Sequence, residues 1–116
     1  MRDILLQCAG LAAIAAALIH GYLGEFKVFP KMTIEPARLR TLIRLVWQAG
    51  TVAWIGGGVL LLAAPWMASE VARHWIVVTL ACVFAFAALA NAIATRGRHF
   101  GWMALSAVVA MAVAGY

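Results

Sequence analysis

Residues 75–94 read WIVVTLACVFAFAALANAIA, an apolar stretch without a single charged residue. An α-helix of about 20 such residues is what crosses the hydrocarbon core of a bilayer. Three further apolar stretches accompany it in the chain, and together they predict helices at about 4–23, 36–64, 75–95 and 99–116. The predicted fold is therefore all-α, a polytopic membrane protein in which residues 1–116 form one four-transmembrane-helix bundle.

The composition of the whole chain also indicates a lipid environment. Of the 116 residues, 66% are hydrophobic and 11% are charged, against about 45–50% and about 25% in soluble domains. This small number of charged side chains cannot cover the outside of a soluble core. The lipid bilayer is therefore a predicted partner of the chain. The net charge of +5 does not predict a nucleic-acid partner, because the basic residues lie in short segments between apolar stretches.

The first apolar stretch has a second interpretation, a cleaved signal peptide, because Arg2 precedes it. Three features favour a retained helix instead. Asp3 weakens the basic character of the start, the stretch is longer than a typical signal-peptide core, and residues 21–25 offer no small-x-small cleavage site. We therefore expect the first helix to remain in the protein.

The basic residues are distributed unevenly between the two sides of the predicted bundle. Seven of the nine Lys and Arg residues lie in or beside the first and third connecting segments, whereas only Arg2 and Arg73 lie on the opposite side. Segments rich in Lys and Arg stay in the cytoplasm. The predicted location is the bacterial inner membrane, in one orientation, with both termini periplasmic.

Three polar side chains are predicted to lie at one depth near the cytoplasmic side of the bundle. His20, Gln48 and Asn91 each lie about one turn from a helix end, and His20 and Asn91 share their helix faces with small residues. They are predicted to form a polar intramembrane cluster, with Glu25, Arg44 and His99 at its rim. The cluster has two interpretations, a set of hydrogen bonds that fixes helix register or a ligand or proton site, since ionisable groups within membranes are usually functional.

The sequence predicts no catalytic site, no metal and no cofactor. A haem held by two histidines is not expected, because His99 begins the fourth helix near the headgroups while His20 lies inside the first. No Cys or carboxylate is within reach of His20 for zinc or copper. Ser106, in the middle of the fourth helix, has no acid at its depth. An enzyme is therefore not expected.

The second helix carries a stripe of small residues, Ala49, Ala53 and Gly57, on one face. Such stripes allow the close approach of another transmembrane helix. The predicted function is therefore an accessory bundle of unknown activity that binds a membrane-protein partner or forms a homo-oligomer. The alternative is a transporter or channel for a small solute, with the polar cluster lining a cavity on the cytoplasmic side.

Two segments, HGYLGE at residues 20–25 and RLVWQ at residues 44–48, give the chain a resemblance to a group of proteins. They resemble uncharacterised small four-helix bacterial inner-membrane proteins whose first helix ends in H-x-x-x-G-E. The resemblance covers the first two helices and implies no activity. Many members of that group have His at the position of Gln48, so this chain departs from the group where a second histidine ligand would stand.

Overall fold

The computed structural model describes residues 1–116 and contains four α-helices and no strands. The helices are α1 (Arg2–Leu23), α2 (Ala37–Ala63), α3 (Glu70–Thr95) and α4 (Gly101–Ala114). A π-helical turn, Gly24–Val28, and a 3₁₀ turn, Phe29–Lys31, continue α1, and a second 3₁₀ turn, Ala64–Trp66, continues α2. The all-α, four-helix prediction is confirmed.

Local chemistry sets where α2 and α3 begin. Pro36 has extended backbone angles, φ −75° and ψ 169°, so the first helical residue of α2 is Ala37. The Oγ atom of Ser69 accepts the backbone N–H of Ala72 at 3.2 Å, which caps α3. Because of this cap α3 begins at Glu70, several residues before the apolar stretch itself.

The end of α3 is a left-handed turn. Arg96 and Gly97 have positive φ values of 53° and 72°, and the N–H of Gly97 donates to the carbonyl oxygen of Ala92 at 2.8 Å. This arrangement satisfies a carbonyl group that the helix end leaves without a partner. It also reverses the chain, so that α4 returns along α3.

Three of the helical segments are long and apolar enough to cross a membrane, and they are Arg2–Lys31, Ala37–Trp66 and Glu70–Thr95. The fourth helix, α4, has 14 residues, which corresponds to ~21 Å against a hydrocarbon core of ~30 Å. Gly101, at its start, lies beside Asn91, and Gly115, just past its end, lies beside Leu6 near the start of α1. The short helix therefore extends from one end of the bundle towards the other.

The backbones of α1 and α2 approach each other closely at two glycines. A Cβ atom added to Gly10 would lie 2.6 Å from the carbonyl oxygen of Gly58, and one added to Gly58 would lie 2.8 Å from the carbonyl oxygen of Gly10. Neither position has room for a side chain. The buried alanines Ala9, Ala13 and Ala17 continue this small face along α1, as expected where transmembrane helices pack by close contact.

The four helices form a flat, open bundle with extents of 49 × 27 × 18 Å. The helix α1 packs against α2 and α4, and α4 packs against α3, whereas α2 and α3 meet only sparingly. Their contact includes the edge-to-face pair of Trp54 and Phe84, whose ring centroids are 6.0 Å apart, and the approach of Gly57 to Leu80. The α2–α3 side is thus the open seam of the bundle.

The core is small and the surface is apolar. Only 20 of the 116 residues are buried, and the largest side chains that are fully buried are Leu6, Leu61, Phe84 and Val108. Most large apolar residues lie on the outside, among them Leu45 at 63% and Phe86 at 74% exposure. An outside of this kind is suited to lipid rather than water.

Candidate functional site

The six residues of the predicted polar cluster and its rim separate into two groups in the structure. Gln48 joins Glu25 and Arg44 in a set of hydrogen bonds between α2 and the π-helical turn. His20 and Asn91 line a cavity together with His99, which the sequence had placed at the rim.

The first group, which we call the Glu25 clasp, consists of Glu25, Arg44 and Gln48. The Glu25 carboxylate accepts hydrogen bonds from Nε of Arg44 at 2.9 and 3.0 Å and from Nη2 of Arg44 at 2.5 Å. Nε2 of Gln48 donates to the same carboxylate at 3.0 Å and to the carbonyl oxygen of Gly21 at 3.1 Å. Both Glu25 oxygens are therefore engaged, and the clasp joins the start of α2 to the end of α1.

His20 lies between two tryptophans of α2. Its ring is nearly parallel to that of Trp47, with 4.2 Å between the centroids and an interplanar angle of 5°. The Trp54 ring is 4.6 Å away and tilted by 39°. Trp47 and Trp54 are seven residues apart on α2, so they project from the same side of that helix. This pair of indoles holds the imidazole at the wall of the cavity.

The cavity, which we call the histidine cavity, has a volume of about 420 Å³. This volume is within the range of small-molecule sites, roughly 300–1,000 Å³. The lining is mostly apolar, and its polar side chains are His20, Asn91, Thr95 and His99, with Trp47 and Trp54 contributing indole surface. A mostly apolar cavity with a few convergent polar groups is the usual form of a binding site.

The exposed residues of the histidine cavity lining are Ala15, Ile19, Phe100 and Ala107. Ala15 of α1 and Ala107 of α4 line the cavity and are exposed at the surface of the bundle. Both residues lie within apolar stretches of their helices, away from the connecting segments. The opening therefore extends from the α3–α4 connection, at Phe100, into the apolar belt of the molecule.

Two polar groups of the cavity have unused hydrogen-bonding capacity. The side-chain oxygen of Asn91 is buried and has no hydrogen-bond partner. Nδ1 of His99 accepts the backbone N–H of Gly101 at 3.0 Å, so its other ring nitrogen remains for another partner. A buried polar group without a partner destabilises a fold by about 1–3 kcal/mol, so such groups require an explanation.

The three stripe residues of α2 do not share one environment. Ala49 and Ala53 are exposed, as a docking stripe requires, but Gly57 is buried against Leu80 and Phe84 of α3. The open glycine of α2 is Gly56, because a Cβ atom added there meets no atom within 4 Å. The exposed line of small residues therefore runs through Ala49, Ala53 and Gly56.

The sequence analysis did not identify Trp47 and Trp54 as site residues. Their seven-residue spacing on α2 was the signal that could have placed both indoles beside His20. Gly101 was not predicted as a site residue either, although a side chain at this position would collide with Asn91 and His99.

A second polar set lies at the opposite end of the bundle, near the chain termini. Nη2 of Arg73 lies 3.1 Å from the Asp3 carboxylate, and Nη1 of Arg73 lies 3.5 Å from that of Glu70. The ring of His74 is hydrogen-bonded to the hydroxyl of Tyr116. These contacts tie the starts of α1 and α3 and the end of the chain together, and their charged groups are already paired.

Comparison of the chain with protein-family models, with curated proteins and with solved structures gives no match. The function is therefore inferred from the geometry of the histidine cavity and of the exposed face of α2.

Proposed function

We propose that this protein is a non-enzymatic accessory protein of the bacterial inner membrane and that it binds a small lipid-soluble molecule in the histidine cavity. The observation that carries the proposal is the cavity itself, about 420 Å³ in volume and open in the apolar belt at Ala15 and Ala107. A molecule dissolved in the bilayer reaches such an opening directly, without passing through water.

Binding rather than chemistry is supported by how the nearby reactive groups are arranged. The Thr95 hydroxyl donates to the backbone oxygen of Asn91 at 2.7 Å, and the Cys8 and Cys82 thiols are on the outside of the bundle, away from the cavity lining. A nucleophilic mechanism needs a nucleophile and a base within hydrogen-bond reach of each other. The imidazoles of His20 and His99 have ring stacking and a backbone N–H as their neighbours instead.

Binding rather than passage is supported by the packing on the far side of the cavity. The lining extends no further than Ala12 on α1 and Trp54 on α2. Beyond those residues the core is filled by Leu6, Leu61 and Val108, each less than 2% exposed. A solute pathway would need polar or hydrated surface in this half of the bundle. We therefore favour a binding site with a closed inner end over a transporter or channel.

We propose four membrane crossings with both termini periplasmic. The route of α4 supports the fourth crossing, because Gly101 lies beside Asn91 at one end and Gly115 lies beside Leu6 towards the other. The distribution of basic residues supports the orientation, since seven of nine belong to the segments assigned to the cytoplasm. In this orientation the histidine cavity lies in the cytoplasmic half of the membrane.

A second role, self-association, is supported by one specific observation on α2. Of its three consecutive glycines, Gly57 and Gly58 each lie against a neighbouring helix, whereas Gly56 meets nothing. Glycine weakens a helix interior by about 1 kcal/mol relative to alanine, so the monomer gains nothing from Gly56. Ala49, Ala53 and Gly56 are small and exposed, so two copies related by a two-fold axis can bring these faces into close contact. We therefore assign this face to a second copy of the chain.

The cavity role can be tested by tryptophan fluorescence in lipid nanodiscs. Replacing Trp66, Trp75 and Trp102 with Phe leaves the two cavity tryptophans as the only emitters. Bromonaphthalene, an apolar heavy-atom quencher, is expected to quench them saturably.

The decisive comparison uses two alanines of α4. Ala107→Phe is expected to weaken this quenching at least about tenfold, since the new ring enters the mouth of the cavity. Ala110→Phe, an equal change at an exposed alanine outside the lining, is expected to leave it unchanged. Quenching that rises linearly with bromonaphthalene, or that responds equally to both variants, would contradict the proposal.

A further inference from the structure

A backbone hydrogen bond sets the tautomer of the His99 ring. The N–H of Gly101 donates to Nδ1 of His99 at 3.0 Å, so in the neutral ring Nδ1 is the acceptor and carries no proton. The proton of the neutral imidazole is then on Nε2. His99, a residue of the cavity lining, therefore has an N–H donor at Nε2.

Asn91 adds a second group on the same wall. Its side chain forms no hydrogen bond within the protein, and its oxygen is fully buried. A Cβ atom added to Gly101 would lie 3.0 Å from both terminal atoms of the Asn91 amide, so the amide is pressed against the first turn of α4. The glycine at 101 thus allows Asn91 and His99 to share one end of the cavity.

The rest of the lining is suited to a flat ring. Trp47 and Trp54 flank His20 with ring centroids at 4.2 and 4.6 Å, and all three rings line the cavity. Phe100 lines it as well. Aromatic side chains attract other rings through stacked and edge-to-face contacts, beyond the gain from burying apolar surface.

Taken together, the geometry points to a planar, lipid-soluble ligand that carries a carbonyl oxygen, the chemistry of a membrane quinone head group. Its carbonyl accepts the Nε2–H of His99 beside the Asn91 amide, and its ring lies against the indoles of α2. This inference rests on the proposed function, because it names the ligand class of the same cavity. It concerns binding alone.

Two other occupants fit the cavity less well. A lipid acyl chain would fill the volume but would leave the His99 donor without an acceptor, which is unfavourable in an apolar medium. Ordered water would need two to four polar partners for each molecule, and the lining is mostly apolar. A carbonyl on a flat ring gives the His99 donor an acceptor and places the ring against the apolar part of the wall.

The test uses two probes with the same ring frame, dimethylnaphthoquinone and dimethylnaphthalene. They differ in two carbonyl oxygens, so any preference between them reports hydrogen bonding rather than shape. Ligand retained by protein-loaded nanodiscs, minus that retained by empty nanodiscs, is measured by mass spectrometry at equal concentrations in the lipid. We expect the quinone to saturate at one molecule per chain and to bind about tenfold more tightly than the hydrocarbon.

The assignment of the donor is tested at His99. His99→Phe is expected to abolish the preference for the quinone, and His99→Gln to retain part of it, because the glutamine amide still donates an N–H. His74→Phe, at the opposite end of the bundle, is the matched control and is expected to leave the preference intact. Circular dichroism and gel filtration check that each variant keeps its helices and its size.

The possible outcomes separate this inference from the proposed function. Equal, saturable binding of the two probes would overturn the carbonyl assignment and leave the cavity as a general apolar site. A preference that survives His99→Phe would overturn the role of His99. Binding that fails to saturate for both probes, as expected if acyl chains fill the cavity, would overturn the carbonyl assignment and the proposed function together.

Discussion

Trp47 and His20 are joined twice, once by their rings and once through the backbone. The indole Nε1 of Trp47 donates to the carbonyl oxygen of His20 at 2.9 Å, while the two rings stack with their centroids 4.2 Å apart. That carbonyl also accepts the backbone N–H of Gly24, the residue that follows α1. One side chain of α2 thus supports both the end of α1 and the wall of the histidine cavity.

Replacing Trp47 with Phe should destabilise the fold by about 1 kcal/mol, because it removes the indole donor and keeps an aromatic ring at the position. The measurement is the midpoint of thermal unfolding in detergent. Trp66→Phe is the matched control, since Trp66 is 74% exposed and the same change there should have little effect. Equal effects of the two substitutions would show that the bond to His20 is not stabilising.

Replacing Gly10 with Ala should destabilise the protein by about 1–3 kcal/mol, the usual effect of overpacking. The added methyl group would lie 2.6 Å from the backbone oxygen of Gly58, so one of the two helices has to move. Gly56→Ala is the control on the same pair of helices, and it should leave stability unchanged or raise it, because nothing lies near that position. Chemical denaturation in mixed micelles measures both. Greater stability of the Gly10 variant would contradict the close α1–α2 contact.

Ala53→Leu should abolish self-association of the chain while preserving the helices of the monomer, because a bulky side chain holds two small faces apart. The measurement is the mass of the detergent-solubilised protein by light scattering. Ala85→Leu, an identical change at an exposed alanine of α3, should leave the oligomer intact. A wild-type protein that is monomeric at all concentrations in lipid and detergent would rule out this role for the face.

Alkaline phosphatase fused after Tyr116 should be active and green fluorescent protein fused there should be dark, because the phosphatase folds only in the periplasm. The expectation follows from four crossings and the uneven distribution of basic residues. Fusions after Arg98 should give the opposite pattern and serve as the control. An active phosphatase at both positions would show that α4 does not cross the membrane.

Several features of the fold follow from the sequence because they depend on one helix at a time. The small face of α1 could be predicted from the four-residue spacing of Ala9, Ala13 and Ala17, and all three are buried. His20 and Asn91 could be assigned a common depth from their distances to helix ends, and both line one cavity. Helical periodicity carries this information without knowledge of any neighbouring helix.

Other features depend on neighbours and on irregular backbone. Gly56 and Gly57 are only 100° apart around the axis of α2. Gly57 faces inward because Leu80 of α3 lies against it, and Gly56 therefore faces outward. Glu25 lies in a π-helical turn, which has more residues than an α-helical turn and so changes the direction of the side chain. Gln48 therefore reaches Glu25 in the structure, whereas regular periodicity placed it with His20 and Asn91.

The short length of α4 has a consequence for the bilayer around the protein. Its helical rise of ~21 Å is less than the ~30 Å hydrocarbon thickness, which the longer helices reach or exceed, so in the proposed four-crossing arrangement the lipid beside α4 would experience hydrophobic mismatch. Acyl chains along this flank would then tilt or compress, and the membrane would be thinned locally on the α4 side of the molecule. The histidine cavity opens on α4 at Ala107, within this thinned annulus.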